Sequence, residues 1–337
     1  MIYDIFIIGG GINGCGIARD ASGRGLKVCL AEMNDLASGT SSSSTKLIHG
    51  GLRYLKYFDF KLVKEALKER DILLNIMPHI CWPMRFLIPL ESFKINNFFI
   101  RCGLFIYDYI AGYSKLPKTK AINLQNSSLN AFIKSKYKKA YIYSDCWVED
   151  SRLVVLNAVD AKNMGANILT HTKVINFKKK GNLWNVITEN KRGEVNEYLC
   201  KCIVNASGPW VDNINQHISS DGAYSTRLIK GSHLVVKKLF DHNHAFFLNG
   251  KDGRIIFVIP FQEEFSLIGT TEVVYQNIEI KPKCSDEETN YLLNFINNYF
   301  SFNLKKDHII STFSGVRPLY NQKKQHNENI SSITRDY

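Results

Sequence analysis

Ile5-Phe6-Ile7-Ile8-Gly9-Gly10-Gly11-Ile12-Asn13-Gly14 is the stretch whose reading decides the fold. Its first four residues form an apolar run rich in β-branched side chains, the composition of a strand buried on both faces. The run passes straight into glycines at 9, 11 and 14, the G-x-G-x-x-G spacing. Gly9 permits the tight turn out of the strand, Gly11 lets backbone approach a pyrophosphate, and Gly14 lets the next helix lie close on the strand. That helix is predicted through Ile17, Ala18 and Ala21 and stops at Gly23-Arg24-Gly25. A second strand over 27–31 ends in Glu32, where an acid meets a ribose hydroxyl. Strand, turn, helix, strand and acid fall in register and predict a dinucleotide site. Its candidate contacts are Gly9, Gly11, Ile12, Asn13, Gly14 and Glu32. The acid disfavours a 2′-phosphate and so NADP, and at this point FAD and NAD both stay open.

The chain has 337 residues, 45% of them hydrophobic, enough for a large core and for two domains. The first strand starts almost at Met1, so no signal peptide is expected. The longest apolar region, 98–113, is broken by Arg101 and Asp108 and is too short and too charged to span a bilayer. A soluble or peripheral protein is expected. Eight cysteines (Cys15, Cys29, Cys81, Cys102, Cys146, Cys200, Cys202 and Cys284) make no C-x-x-C pair. Cys15 and Cys29 read as small buried residues, and a reduced cytoplasmic setting without a metal site fits best. The formal net charge is +12. Its lysine clusters, at 115–120, 134–139 and 178–180, lack the aromatic or glycine interleaving of a nucleic-acid module. They read as a solvated surface, and the functional reading is attraction to anionic phospholipid headgroups.

Beyond Glu32 comes Leu36-Ala37-Ser38-Gly39-Thr40-Ser41-Ser42-Ser43-Ser44-Thr45-Lys46-Leu47-Ile48-His49-Gly50-Gly51-Leu52-Arg53-Tyr54-Leu55. Hydroxyls and bare backbone suit a loop wrapped around phosphates and a flat ring better than a linker. Residues 59–77 read as a helix capped by Asp59 and ended by Pro78, with Leu62, Ala66, Leu73 and Ile76 on one face and Val63, Leu67 and Leu74 beside it. The aromatic stretch over 91–140 reads first as core, with a substrate-domain face and a membrane-contacting patch as the other readings. A helix from Ser151 turns Val154, Val155, Ala158 and Ala161 inward and stops at Gly165. Hairpin-like strands follow, broken by Gly181-Asn182 and Lys191-Arg192-Gly193. A further buried strand at 203–206 ends at Ser207-Gly208-Pro209-Trp210, a turn placed to return to the cofactor. From about 226 to 309 strand follows strand, with one helix behind a Ser285–Glu288 capping box.

By these residues the chain resembles FAD-dependent, respiratory, quinone-linked glycerol-3-phosphate dehydrogenase. That family lies within the glutathione-reductase-like, D-amino-acid-oxidase-type flavoproteins. The specific matches are the segment 45–55, Tyr143-Ser144-Asp145-Cys146-Trp147-Val148, Asn205-Ala206-Ser207-Gly208-Pro209-Trp210-Val211, Lys230-Gly231-Ser232-His233, Ile268-Gly269-Thr270-Thr271, Ser314-Gly315-Val316-Arg317-Pro318-Leu319 and Ile333-Thr334-Arg335-Asp336-Tyr337. Glu149 and Glu272 stand where the family usually has Asp. Family members run on past residue 337, through a Gly-rich segment carrying Lys and Arg and a helical C-terminal domain, both expected to be absent here. The resemblance implies an α/β fold. Its FAD-binding Rossmann-like domain would comprise 1–90, 141–225 and 310–337. The mainly antiparallel, α+β substrate domain would comprise 91–140 and 226–309.

The resemblance further implies oxidation of sn-glycerol 3-phosphate to dihydroxyacetone phosphate, with electrons passing through FAD to a membrane quinone on a cytoplasmic, peripherally associated protein. It adds Thr40, Ser41, Ser42, Thr45, Lys46, Leu47, His49, Gly50, Gly51, Val174, Ala206, Gly208 and Trp210 to the FAD contacts. A dianionic substrate calls for guanidinium groups, and Arg53, Arg317 and Arg335 are the candidates. Hydride loss from C2 with loss of the hydroxyl proton calls for a base, and His49 and His233 are the candidates. Arg317 counts as catalytic as well as substrate-binding, and Tyr54, Thr270 and Lys230 are orienting donors. Two other readings stay open: an FAD-dependent amine or amino-acid oxidase, and a non-catalytic FAD-binding remnant. The sequence leaves a homodimer open.

Overall fold

The computed structural model describes residues 1–91, 96–216, 225–250 and 252–321. The motif at 333–337, with Arg335, lies outside them. Strand β1 (Ile2–Ile8) is flanked in parallel by β2 (Val28–Ala31) and by β10 (Val195–Asn205). Beyond β2 lies β7 (Asn167–Leu169), and beyond β10 lie β9 (Leu183–Asn190) and β8 (Thr172–Lys180), giving six strands in the order β7-β2-β1-β10-β9-β8. The separate strand expected at 203–206 is instead the end of β10. No turn residue interrupts this strand, so it pairs antiparallel with β9 up to Cys200 and parallel with β1 from Leu199 to Asn205.

Helices α1 (Ile12–Gly23) and α4 (Asp150–Asn163) pack side by side on this sheet. Small side chains allow the close approach: Cys15, Ala18 and Ala21 share a core with Val154, Ala158 and Ala161. Val155 lies off that i, i+4, i+7 line and is exposed rather than inward. Phe6, Ile8 and Val174 belong to a separate core cluster of the same sheet, as the alternation of side chains along a strand requires.

The second sheet has ten strands. These are β3 (Leu47–Ile48), β4 (Cys81–Glu91), β5 (Lys120–Asn123), β6 (Tyr137–Val148), β11 (Ser225–Lys237), β12 (Ala245–Asn249), β13 (Ile255–Phe261), β14 (Phe265–Gly269), β15 (Val273–Val274) and β16 (Ile309–Asn321). Nearly all pairs are antiparallel, the β12–β4 pair being parallel. The order is β15-β11-β14-β13-β12-β4-β6-β3, with β16 on β11 and β5 on β6. Residues 81–90, 141–148 and 310–321 therefore stand in this sheet, whereas the sequence groups them with the dinucleotide domain. Register explains the difference. β4 and β6 pair from Cys81–Val148 to Leu90–Lys139 and, after a register shift, at Glu91–Tyr137, and β16 pairs with β11 from Ser225–Asn321 to Val236–Ile309 with one shift near its end.

Helix α2 (Phe60–Ile76) is capped by Asp59, whose carboxylate accepts the Leu62 N–H at 3.3 Å. Its buried stripe is Val63, Leu67 and Arg70, one step round from the expected face, and Ile76 is exposed. An arginine in that stripe is what an apolar count overlooks. Helix α3 (Asn96–Tyr109) corrects the core reading of the aromatic stretch: Phe98, Phe99 and Phe105 are 67%, 67% and 64% exposed, while Leu104 and Tyr107 point inward. After the short α5 (Val211–Asn215), α6 (Asp286–Tyr299) opens on the capping box between Ser285 and Glu288. All eight cysteines are free thiols, with Cys15 and Cys29 fully buried. Among the described residues no helix is long and apolar enough to cross a membrane, and no cluster of three metal-ligating side chains occurs.

Candidate active site

The turn at 9–14 leaves β1 at its C-terminal end, beside the end of β10. Gly9 has φ +109°, open to glycine and strained for other residues. A Cβ on Gly9 would run into the Ala206 carbonyl, and one on Gly14 into the carbonyl of Gly9. The first turn of α1 holds no acidic residue and takes no side-chain cap from Gly11. Ser41 reaches it instead, its Oγ accepting the Ile12 N–H at 3.0 Å. Glu32 folds back over the turn, one carboxylate oxygen accepting the Gly10 N–H at 2.7 Å and the other the Asn34 N–H at 2.8 Å. Each oxygen keeps a second lone pair for a ribose hydroxyl. A narrow backbone cradle, a helix N-terminus and an oriented carboxylate fit the adenosine diphosphate half of a dinucleotide.

The serine-rich segment is a strap, not a linker. The Thr40 hydroxyl donates to the Val316 carbonyl at 2.5 Å, and a Cβ on Gly315 would press on Ser43. Ser44 Oγ and Lys46 Nζ both meet Asp150 at 2.7 Å, tying the strap to the start of α4. Lys46 is thus held by a carboxylate and by the Ser42 carbonyl. Ser42 Oγ donates to the Gly39 carbonyl at 3.3 Å, and Leu47 pairs with Trp147 in β3–β6. The Trp210 ring lies against Gly39, and Gly208 turns with φ +57°. The Val174 side chain is in the sheet core.

Below the strap opens a cavity of about 110 Å³. It gathers Thr45, His49, Gly51, Arg53, Tyr54, Thr270 and Arg317 from the residues the sequence singled out, and adds Tyr143, Asp145, Arg254 and Glu272. Arg53 and Arg317 arrive from different elements and face one oxygen of Glu272, at 3.5 and 3.7 Å. The Arg53 guanidinium also lies 5.2 Å from the Tyr54 ring centroid. Lys230 is not brought here. Its ammonium is turned to Glu288 and the Lys283 carbonyl, both at 2.8 Å. Asp145 stands inside a quoted motif and Glu272 directly follows one, yet a single acid in a strand or loop gives no sign that it faces a cavity.

The two histidines differ. His233, 2% exposed, sits behind Thr45: its Nε2 is 3.0 Å from Thr45 Oγ1, its ring stacks on Phe313 at 4.8 Å, and its Nδ1 has no hydrogen-bond partner among the described residues. Burial, helped by Arg317 and Lys46, pushes it down to about 3, so it is neutral at ordinary pH. His49 lines the cavity, and its Nδ1 accepts the Gly51 N–H at 3.0 Å. Crowding by protein holds it below 6.5, with Arg53 and Arg70 pushing the same way and Asp145 opposing. Its solvent exposure within the open cavity tempers that effect.

Fold and cradle define a flavoprotein-type dinucleotide oxidoreductase, and comparison with known proteins gives the family. The model of the FAD-dependent oxidoreductase family matches residues 4–331, and the chain belongs to that family. It is 46% identical over 99% of its length to the D-erythritol 1-phosphate dehydrogenase of Brucella abortus, covering 66% of that protein. It is 44% identical, again over 99%, to the aerobic glycerol-3-phosphate dehydrogenase of Escherichia coli, also covering 66%. The FAD complex of the Bacillus halodurans glycerol-3-phosphate dehydrogenase superposes with a TM-score of 0.78 at 31% identity, over 95% of this chain and 58% of that one. The chain therefore spans somewhat under two thirds of the relatives it matches. FAD is the family's cofactor, and the cradle fits its adenosine half.

Proposed function

We propose that this chain forms the FAD-binding and substrate-binding part of a polyol-phosphate dehydrogenase that oxidises sn-glycerol 3-phosphate to dihydroxyacetone phosphate. The observation that carries the reading is the convergence of Arg53 and Arg317 on one wall of a cavity that also holds His49, Tyr54 and Thr270. Two guanidiniums suit a phosphate dianion, whereas an amino-acid carboxylate needs one. FAD, held by the 9–14 turn, Glu32 and the strap, supplies the two-electron acceptor when bound. Arg53 and Arg317 bind the phosphate, Tyr54 and Thr270 orient the polyol, and the apolar Phe247 and Phe257 limit water. Electrons then pass to a membrane quinone. The exposed aromatic face of α3, with Arg101 and Lys118 beside it, supports contact with an anionic bilayer.

A second substrate is favoured by the 46% identity to the D-erythritol 1-phosphate enzyme. The chemistry is the same on a longer polyol. Turnover with an artificial electron acceptor decides between them, using glycerol 3-phosphate, D-erythritol 1-phosphate and a panel of amino acids. Bleaching of the flavin bands by a polyol phosphate is the expected result. Bleaching by amino acids alone overturns the proposal, and a protein that takes up no FAD is the non-catalytic remnant.

A further inference from the structure

At the cavity floor, where Asp145 joins the lining, lies a buried polar unit that the reaction described above does not use. Asp145 on β6 is 1% exposed, Tyr107 on α3 is 3% exposed, and Arg70 on α2 is 5% exposed. The Tyr107 hydroxyl donates to Asp145 at 2.7 Å and accepts the Gly50 N–H at 2.7 Å. Arg70 Nη1 lies 2.9 Å from the same carboxylate and 3.2 Å from the Ser144 carbonyl. Burial raises the Tyr107 phenol well above 10, so its proton stays in place for Asp145 and its lone pair stays free for Gly50. Three elements that are distant in sequence thus hold one backbone amide.

That amide governs the next one. Gly50 is pressed against Leu67 and the Tyr107 hydroxyl, with no room for a Cβ, and Gly51 follows at φ +70°. This conformation aims the Gly51 N–H at His49 Nδ1. A backbone N–H only donates, so Nδ1 is an acceptor and the neutral ring carries its hydrogen on Nε2. Protonation at Nδ1 would set two hydrogens against each other.

We propose that Tyr107, backed by Asp145 and Arg70, is a positioning residue that fixes the Gly50–Gly51 turn and thereby holds His49 as a neutral Nε2–H donor toward the cavity. His49 then hydrogen-bonds an oxygen of the substrate. The substrate half of this statement rests on the polyol-phosphate reading; the tautomer half does not. An acid buried on a strand and a tyrosine on a neighbouring helix are a costly arrangement unless each hydrogen bond is made, and here they are made to the backbone beside the cavity.

The test is nuclear magnetic resonance of FAD-reconstituted protein with ring-¹⁵N histidine, reading long-range proton–nitrogen correlations. The protein has nine histidines, and His49→Gln assigns the signal. The expected wild-type pattern has Nε2 protonated and Nδ1 bare at neutral pH. In Tyr107→Phe, the hydrogen is expected to spread over both nitrogens, with kcat on the polyol phosphate down about tenfold and KM little changed. A wild-type proton on Nδ1 overturns the proposal, and so does a Tyr107→Phe spectrum identical to wild type in a folded protein. If Tyr107→Phe does not fold, Asp145→Asn is measured in its place with the same two outcomes. Absence of turnover on any polyol phosphate sinks the functional reading but leaves the tautomer pattern to be judged alone.

Discussion

Thr45 Oγ1 and His233 Nε2 are 3.0 Å apart, and only the threonine lines the cavity. His233 is therefore a buried support for the strap, and its cost appears in the pH dependence of stability. Its ordinary value is 6.5 and burial pushes it down to about 3. Between those values the unfolded chain takes up a proton at this site that the folded chain does not. The contribution to stability is thus complete above 6.5 and declines as pH falls toward 3. Urea midpoints of wild type and His233→Asn, compared from pH 7 to about pH 5, should show a steeper fall for wild type. Parallel curves would remove His233 from that account.

Gly14→Ala tests the cradle. Its Cβ has no space against the Gly9 carbonyl, so helix α1 must move away from β1. The expected outcome is a folded protein that loses FAD in gel filtration, with affinity reduced at least about a hundredfold, equal to roughly 3 kcal/mol. Gly16→Ala is the control, because a Cβ there meets nothing. Equal retention of FAD by both variants would contradict the assignment.

The sequence shows how far local pattern reaches. The 5–14 stretch announced its strand, turn and helix because each glycine there answers a local steric demand. Asp59 and Ser285 marked helix starts for the same reason. Strand membership of 81–91 and 137–148 was not legible, since alternation says nothing about which sheet a strand joins. Arg70 and Asp145 were invisible as a pair because each is a lone charge until β6 and α2 come together. Lys230 sits in a matching motif, yet a neighbouring helix took its charge. Phe98 and Phe105 turn outward, against the default core reading of their stretch, because aromatic composition alone does not separate core from exposed face.

Arg317 and Arg53 should behave as a phosphate clamp. A charge-assisted bond is worth about 1.5–3 kcal/mol, so Arg317→Ala should raise KM for the polyol phosphate by roughly 10- to 100-fold. Lysine keeps the charge without the fork and should fall between the two. Steady-state kinetics with phosphorylated and unphosphorylated polyol checks the assignment. If Arg317→Ala weakens both substrates equally, the guanidinium is not reading the phosphate.

The outer face of α3 bears on the membrane part of the proposal. Phe98, Phe99, Phe105 and Tyr109 are all exposed, and Tyr109 carries Lys118 at 3.9 Å from its ring. Aromatic rings beside a cation suit the boundary between headgroups and acyl chains, where the ring is buried and the charge meets lipid phosphate. Changing Phe98, Phe99 and Phe105 together to serine removes apolar surface without touching Leu104 or Tyr107, which face the core. Sedimentation with vesicles containing anionic lipid should then lose at least about tenfold in binding, equal to roughly 1.4 kcal/mol. Lys118, half-buried with its ammonium on the Asp108 carbonyl, adds one charge to that face, so Lys118→Ala should mainly weaken the dependence on salt, because a single charge near the surface acts through a screened field. Wild-type protein that ignores anionic vesicles at low salt, or a triple variant that binds them as well as wild type, would place the contact elsewhere on the molecule.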